Sequence, residues 1–231
     1  MYNRSVKELE DRTQEEFVEK YTRQNETSYW LLRGFFYPVE AILFHTKIHG
    51  RENIPEGPVV MVSNHRYAAD PASMVKASTE RPVRFLAKKD LYEGPFSFLY
   101  DWFLTVPVDR SRHAPEVMAA ADVVLQHNGI IGIFPEGTRN KTDEILLPFK
   151  FGAVKLAQEN GAWILPCVNT GRYRPFISNT ELYIGEPYKI DPDADLEKEN
   201  EKLRQIIYDM YVKYGKQDER LDRIRGEENG K

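Results

Sequence analysis

The stretch Pro58-Val59-Val60-Met61-Val62-Ser63-Asn64-His65-Arg66-Tyr67-Ala68-Ala69-Asp70-Pro71 opens on an apolar run, breaks at polar residues and restarts at an Asp-Pro step. Val59 to Val62 has the length and β-branched content of a buried strand. Pro71 suits a first helical turn, where a missing backbone N–H sacrifices no hydrogen bond. The stretch therefore reads strand, turn, helix. The same alternation extends outward: Val83 to Ala87, Leu104 to Val108, Ile130 to Phe134, Ile164 to Val168 and Leu182 to Ile184 are further strand-length runs. Segments near 71–79, 94–103, 114–127 and 149–159 read as the intervening helices. Ala114-Pro115-Glu116 starts the third of these, and Asn128-Gly129 stops it. Strands alternating with helices predict an α/β fold, a mostly parallel central sheet flanked by helices. In such a sheet the site gathers at the carboxyl ends of the strands.

The flanks differ in character. Residues 5–27 are dense in charge and read as an exposed helix. Tyr29 to Phe44 is the most aromatic stretch, and Pro38 is expected to break or kink it. Two short amphipathic pieces with aromatic faces and flanking basic residues suit a membrane interface, or equally packing on the domain. Residues 1–46 are accordingly read as an N-terminal helical membrane-associating segment, and 47–215 as the catalytic domain. Leu196, Leu203, Ile206, Ile207, Met210, Tyr211 and Tyr214 recur at helical spacing, so this helix is expected to dock. Residues 216–231 read as a polar tail that frays.

Composition narrows the function. The net charge of −4 over 231 residues argues against a general nucleic-acid binder. The single cysteine, Cys167, forms no intrachain disulfide and lies in an apolar run, where it reads as a small buried residue. The N-terminus lacks the apolar core of a signal peptide, and no stretch has the length and apolarity of a transmembrane helix. A peripheral position on the cytoplasmic face of a membrane is the expectation. His45 and His49 have i, i+4 spacing, but no nearby third ligand completes a metal site.

The chemistry concentrates at strand ends. His65 follows the first strand, and a tight turn brings Asp70 back towards it. A carboxylate on one ring nitrogen sets the tautomer and stabilises the imidazolium, leaving the other nitrogen as a general base. Alone, this His-x4-Asp spacing is a pattern that chance produces. The next constellation adds weight: Ile130-Ile131-Gly132-Ile133-Phe134 leads into Pro135-Glu136-Gly137-Thr138-Arg139. Pro135 and Gly137 shape a turn with accessible amides, Thr138 offers a hydroxyl, and Arg139 a planar fork suited to phosphate. Glu136 is expected to orient Arg139 or accept from a substrate hydroxyl. Lys88 and Arg110 close two further strands. Several strands thus deliver a base, a carboxylate and cations to one sheet edge.

These residues resemble the glycerophospholipid acyltransferase family, specifically the 1-acylglycerol-3-phosphate acyltransferases. Asn64-His65 to Asp70 is similar to the family's first motif, Arg110 in Val108-Asp109-Arg110 to the arginine of its second, and Phe134-Pro135-Glu136-Gly137-Thr138-Arg139 to its third at every position. Ile164-Leu165-Pro166-Cys167 resembles the apolar fourth. The resemblance spans roughly residues 57–170 and implies the glycerolipid acyltransferase fold. It further implies transfer of an acyl group from acyl-CoA or acyl carrier protein to the sn-2 hydroxyl of lysophosphatidic acid, giving phosphatidic acid. His65 and Asp70 are then the catalytic pair, with no acyl-enzyme, no metal and no cofactor. Arg110, Glu136, Gly137, Thr138 and Arg139, with Lys88, are implied to hold the acceptor, and the membrane surface is a partner. Lys150 followed by Phe151, where relatives often carry a basic residue, is a departure, as is the polar segment before residue 47. Another lysophospholipid or glycerol 3-phosphate as acceptor, acyl-thioester hydrolysis, and a non-enzymatic lipid-binding module stay open as alternatives.

Overall fold

The computed structural model describes residues 26–78, 80–88, 106–108, 115–215 and 218–222. After helix α1 (Glu26–Leu43) come β1 (Lys47–His49), β2 (Val59–Ser63), α2 (Asp70–Ala77), β3 (Val83–Lys88) and β4 (Val106–Val108). They are followed by α3 (Pro115–Gln126), β5 (Ile130–Ile133), α4 (Gly152–Glu159), β6 (Trp163–Thr170), β7 (Glu181–Ile184), β8 (Tyr188–Lys189) and α5 (Leu196–Tyr214). The strands form one sheet in the order β1-β7-β6-β2-β5-β3-β4, with β8 beside β6. From β6 to β4 every pairing is parallel, while β7 and β8 run antiparallel to β6. The expected helix at 94–103 and the charged helix before residue 26 lie outside the described residues.

The central strands are apolar throughout because helices cover both of their faces. Successive residues point to opposite sides. Val60, Val62, Ile131, Ile164 and Val168 pack with Val124 and Leu125 of α3, Val154 and Leu156 of α4, and Leu203, Ile207 and Tyr211 of α5. Val59, Met61, Ile130, Leu165 and Cys167 face the other way, onto Met74 and Ala77 of α2. Cys167 is fully buried, and burial pushes its thiol up, so it packs as a small apolar side chain.

α1 corrects one expectation: it continues through Pro38 rather than breaking there. The carbonyl that the proline ring crowds belongs to Gly34, whose backbone has the latitude to give way. The helix is tied down by Tyr29, fully buried, whose hydroxyl accepts a 3.3 Å hydrogen bond from Val83 N–H. A 2.6 Å ion pair joins Glu40 to Lys76 of α2. His45 has left-handed backbone after α1, and His49 sits in β1 bonded to Glu181, so the two histidines do not share a helix face.

α5 docks as its spacing predicts and is capped by Asp195, whose carboxylate accepts from Glu197 and Lys198 N–H. The chain beyond it is not simply a fraying tail. Residues 219–222 form a helical turn in which Arg220 and Leu221 are buried. Asp218 explains the buried guanidinium: its carboxylate accepts from Arg220, from Tyr211 Oη at 2.6 Å and from Arg66 Nη1 at 2.9 Å. Burial alone would raise the Asp218 carboxyl, but the hydrogen bonds from Arg220 and Tyr211 outweigh it and hold it well below the carboxylate range. A depressed native value means stability that is present above the unfolded carboxyl value of about 4 and is lost as pH falls through the native one. Asp218→Asn is therefore expected to lower the thermal midpoint at neutral pH and to flatten the acid-side loss below about pH 4 seen in the unaltered chain.

Candidate active site

The carboxyl ends of β2, β5, β3 and β4 lie side by side, and each leads into a residue that the sequence singles out. β2 ends at Ser63, and His65 emerges two residues on. Asp70 opens α2 with Pro71 in its first turn. His65 Nδ1 lies 3.0 Å from Asp70 Oδ2. A carboxylate can only accept, so this contact places the proton on Nδ1 and leaves Nε2 with a lone pair. Oδ2 also accepts from the backbone N–H groups of Arg66 and Tyr67, each at 2.7 Å. The turn between strand and helix thus closes on the carboxylate, which is fully buried. The imidazole stacks on Phe134 with centroids 4.2 Å apart, and Phe134 stacks in turn near Phe85. One face of the base is therefore held by an apolar ring. The His65 side chain is 18% exposed, enough for its free edge to meet a substrate.

Glu136 stands elsewhere than expected. It is buried, and its two oxygens accept from His65 N–H at 2.8 Å and Leu147 N–H at 3.0 Å. It clamps the base's own backbone to the segment after the turn instead of orienting Arg139. Burial raises its carboxyl above the usual range, opposed by those two amides. Asn140 N–H, 2.7 Å from His65 carbonyl oxygen, adds a second tie between the two motifs. Glu136→Gln offers one acceptor for two amides and sets an NH2 group against a donor. The expected loss is ~1–3 kcal/mol of stability, read by denaturant unfolding, with lower activity because the His65 turn loosens.

Gly137 has φ +69°, and a Cβ there would lie 2.8 Å from Lys150 Cε. The turn therefore favours glycine for its left-handed backbone, while the exposed Lys150 side chain can swing aside. Thr138, Arg139 and Lys150 are exposed on this turn. Among the described residues no ion pair engages Arg139 or Lys150. Lys88 ends β3 paired with Val108, on the carboxyl edge; its side chain is outside the described residues, as is Arg110 altogether.

Sequence reasoning missed a second tier of contacts. Asn64 and Asn169 bond reciprocally: Asn64 Nδ2 donates to the Asn169 carbonyl at 3.0 Å, and Asn169 N–H to Asn64 Oδ1 at 2.8 Å. This pair locks the ends of β2 and β6 together just before His65. Arg66 anchors the same loop to Asp218. The available signal was a polar residue closing an apolar strand, which does not name its partner. A separate cavity of about 420 Å³ lies at the amino ends of the strands, where Arg81 caps the carbonyls of Pro55, Gly57 and Asn128. Glu52, Glu56 and Glu80 line it, which ill suits a phosphate, and it is at the opposite edge from His65.

Fold and site together define the class of α/β enzymes whose polar groups gather on the carboxyl edge of a parallel sheet. The sequence model of the Acyltransferase family matches residues 45–170, more than half of the 231, and the chain belongs to that family. It is 35% identical to the 1-acyl-sn-glycerol-3-phosphate acyltransferase of Borreliella burgdorferi over 72% of this chain and 70% of that one. Against the enzymes of the same name from Bacillus subtilis and Saccharomyces cerevisiae the identity is 30% and 29%, over 61% and 70% of this chain. The chain spans 72% of the former and about half, 52%, of the yeast relative. The crystal structure of the 1-acyl-sn-glycerophosphate (LPA) acyltransferase from Thermotoga maritima shares the fold, with a TM-score of 0.62 at 22% identity, covering 89% of this chain and 90% of that one.

Proposed function

We propose that the protein transfers a fatty acyl group from a thioester, carried on coenzyme A or acyl carrier protein, to the sn-2 hydroxyl of lysophosphatidic acid. The observation that carries this reading is the His65–Asp70 pair at the sheet edge beside the Gly137–Arg139 turn. His65 Nε2 takes the hydroxyl proton as the acceptor oxygen bonds to the thioester carbonyl carbon. The tetrahedral species collapses with breakage of the C–S bond, and the imidazolium returns its proton to the departing thiolate. The acyl group passes directly, so no acyl-enzyme forms. Asp70 stabilises the imidazolium in between.

Arg139, with Arg110 and Lys88, is assigned to the acceptor phosphate, and the exposed Lys150 over Gly137 extends that cationic edge. Thr138, exposed beside Arg139, is assigned to the same anion. Water as acceptor would need no such cations, which favours transfer over hydrolysis. Arg139→Ala is expected to raise the acceptor KM by about 10-fold or more with a smaller effect on kcat, since a charge-assisted hydrogen bond is worth ~1.5–3 kcal/mol. Steady-state kinetics with varied acceptor check it.

A membrane surface is the proposed source of the acceptor. Leu31, Phe35, Tyr37 and Ile42 of α1 are exposed, as are Phe176 and Ile177 in the loop after β6. The loop is joined to α1 by a 2.7 Å hydrogen bond from Phe176 N–H to Leu43 carbonyl oxygen. Exposed apolar residues flanked by Arg174 suit an interfacial surface. Among the described residues no helix is long and apolar enough to cross a membrane. Incubating purified protein with lysophosphatidic acid and a long-chain acyl thioester tests the reading. Phosphatidic acid is the expected product; free fatty acid in its place would support the hydrolase.

A further inference from the structure

Two polar atoms near the catalytic pair have no partner. Asp70 Oδ2 is saturated by His65, Arg66 and Tyr67, yet its other oxygen, Oδ1, is buried with no hydrogen bond. Tyr173 Oη is also buried, and among the described residues no hydrogen bond of ordinary geometry satisfies it. Tyr173 comes from the loop after β6, more than a hundred residues along the chain, and its ring is wedged between two others. It packs edge-on against Tyr67 at 5.5 Å and against Phe44 at 5.4 Å. Tyr67 is itself one of the residues whose N–H holds the Asp70 carboxylate.

The surroundings leave the tyrosine few uses for its hydroxyl. Ser73, one turn into α2, lies beside it, but the Ser73 hydroxyl is drawn to the Asp70 carbonyl at 2.7 Å and to Asn169 Oδ1 at 2.6 Å. The Tyr173 hydroxyl is held well above the ordinary phenol range, first by burial and next by the negative charge of Asp70; the nearby Ser73 hydroxyl opposes this, and Glu40 and Tyr67 add smaller effects. It therefore stays protonated and has a donor hydrogen to offer this pocket. A buried carboxylate oxygen lacks one.

We infer that Tyr173 is a positioning residue for the catalytic pair, donating its hydroxyl hydrogen to Asp70 Oδ1 directly or through one water. This inference rests on the general-base reading of His65. The bond does two things. It fixes the rotation of the carboxylate, so that Oδ2 stays aimed at His65 Nδ1. It also draws charge towards Oδ1 and so sets how strongly Oδ2 accepts from the imidazole. The loop that carries exposed Phe176 and Ile177 is thereby connected to the reacting centre through one side chain.

The test is Tyr173→Phe in the full chain, which keeps the ring between Tyr67 and Phe44 and removes one oxygen. The expected result is a kcat about 10- to 150-fold lower, the range of one hydrogen bond to a charged group, with acceptor KM within about twofold and a thermal midpoint within a few degrees. A second readout needs no substrate: the low-field proton resonance of His65 Nδ1–H, assigned by its loss in His65→Ala, should move in the variant. In an Asp70→Asn background the same change should have no further effect on kcat or on that resonance. A Tyr173→Phe variant with unchanged kcat and an unmoved resonance would overturn the inference, and so would an undiminished effect in the Asp70→Asn background. If the resonance moves while neither the unaltered chain nor the variant transfers acyl groups, the positioning role stands and the transfer reading has failed instead.

Discussion

His65→Ala is expected to reduce acyl transfer by about 10²- to 10⁴-fold, the usual range for removing a general base. The variant keeps its structural surroundings. Among the described residues the imidazole makes one side-chain hydrogen bond, to Asp70, and stacks on Phe134, while the backbone at residue 65 is held separately by Glu136 and Asn140. Asp70 retains its two amide partners from Arg66 and Tyr67. Loss of activity with an unchanged circular dichroism spectrum and unfolding midpoint therefore reports chemistry and not folding. Binding of the acceptor to the Gly137–Arg139 turn should persist in the variant, because the hydrogen bonds that tie this segment to residue 65 run through its backbone. A protein that merely binds lipid would lose nothing at residue 65. Initial rates with lysophosphatidic acid and an acyl thioester, measured beside equilibrium binding of the acceptor, separate these cases. Unimpaired transfer in the alanine variant would falsify the general-base reading.

Asp70→Asn should come second, lowering kcat by a comparable ~10²- to 10⁴-fold while changing acceptor KM little. The change is nearly isosteric. If the asparagine oxygen occupies the Oδ2 position it still accepts from Arg66 and Tyr67 N–H, so the turn before α2 stays closed. What disappears is the negative charge 3.0 Å from Nδ1. That charge sits in a fully buried position, where it stabilises the imidazolium far more than it would in water. An asparagine that flips its amide group towards Nδ1 would also impose the wrong tautomer and put the proton on Nε2. Both routes lower kcat and neither touches the phosphate-binding cations. An Asp70→Asn variant that instead raised KM and left kcat alone would place Asp70 in substrate binding. The double variant with His65→Ala should be no worse than His65→Ala alone, since the carboxylate acts through the imidazole.

The elements that were legible in the sequence share one property. Val59–Val62, Ile130–Ile133 and Ile164–Val168 are strands covered on both faces, and complete burial writes a continuous apolar run into the sequence. The strands that were missed, β1 with three residues and β8 with two, lie outside that parallel centre and carry mixed polar residues, so no run marks them. Pro38 misled in the other direction, because a breaker propensity is local and Tyr29 and Glu40 hold α1 through contacts the propensity does not contain. The polar tail was misread for the same reason: Arg220 is charged, and its partners Asp218, Tyr211 and the Glu144 carbonyl assemble only in the fold.

Within the site the division is sharper. His65 and Asp70 lie five residues apart, so the turn that joins them is a local matter and the pair could be read directly. Gly137 could be read too, because a left-handed turn position leaves its signature in the residue type. The use of Glu136 could not: its two acceptor oxygens are matched to amides at 65 and 147, and residue type alone does not say whether a carboxylate faces substrate or backbone. Asn64 with Asn169, Arg66 with Asp218 and Tyr173 with the Asp70 pocket likewise join positions about a hundred or more residues apart. The sequence by itself determined the central buried strands, the order of the motifs along them and the chemical kind of each reactive group, because periodicity and short turns are local. Only the tertiary structure decided which buried polar atom meets which donor, because burial leaves a polar group a single set of partners and folding alone brings them within reach.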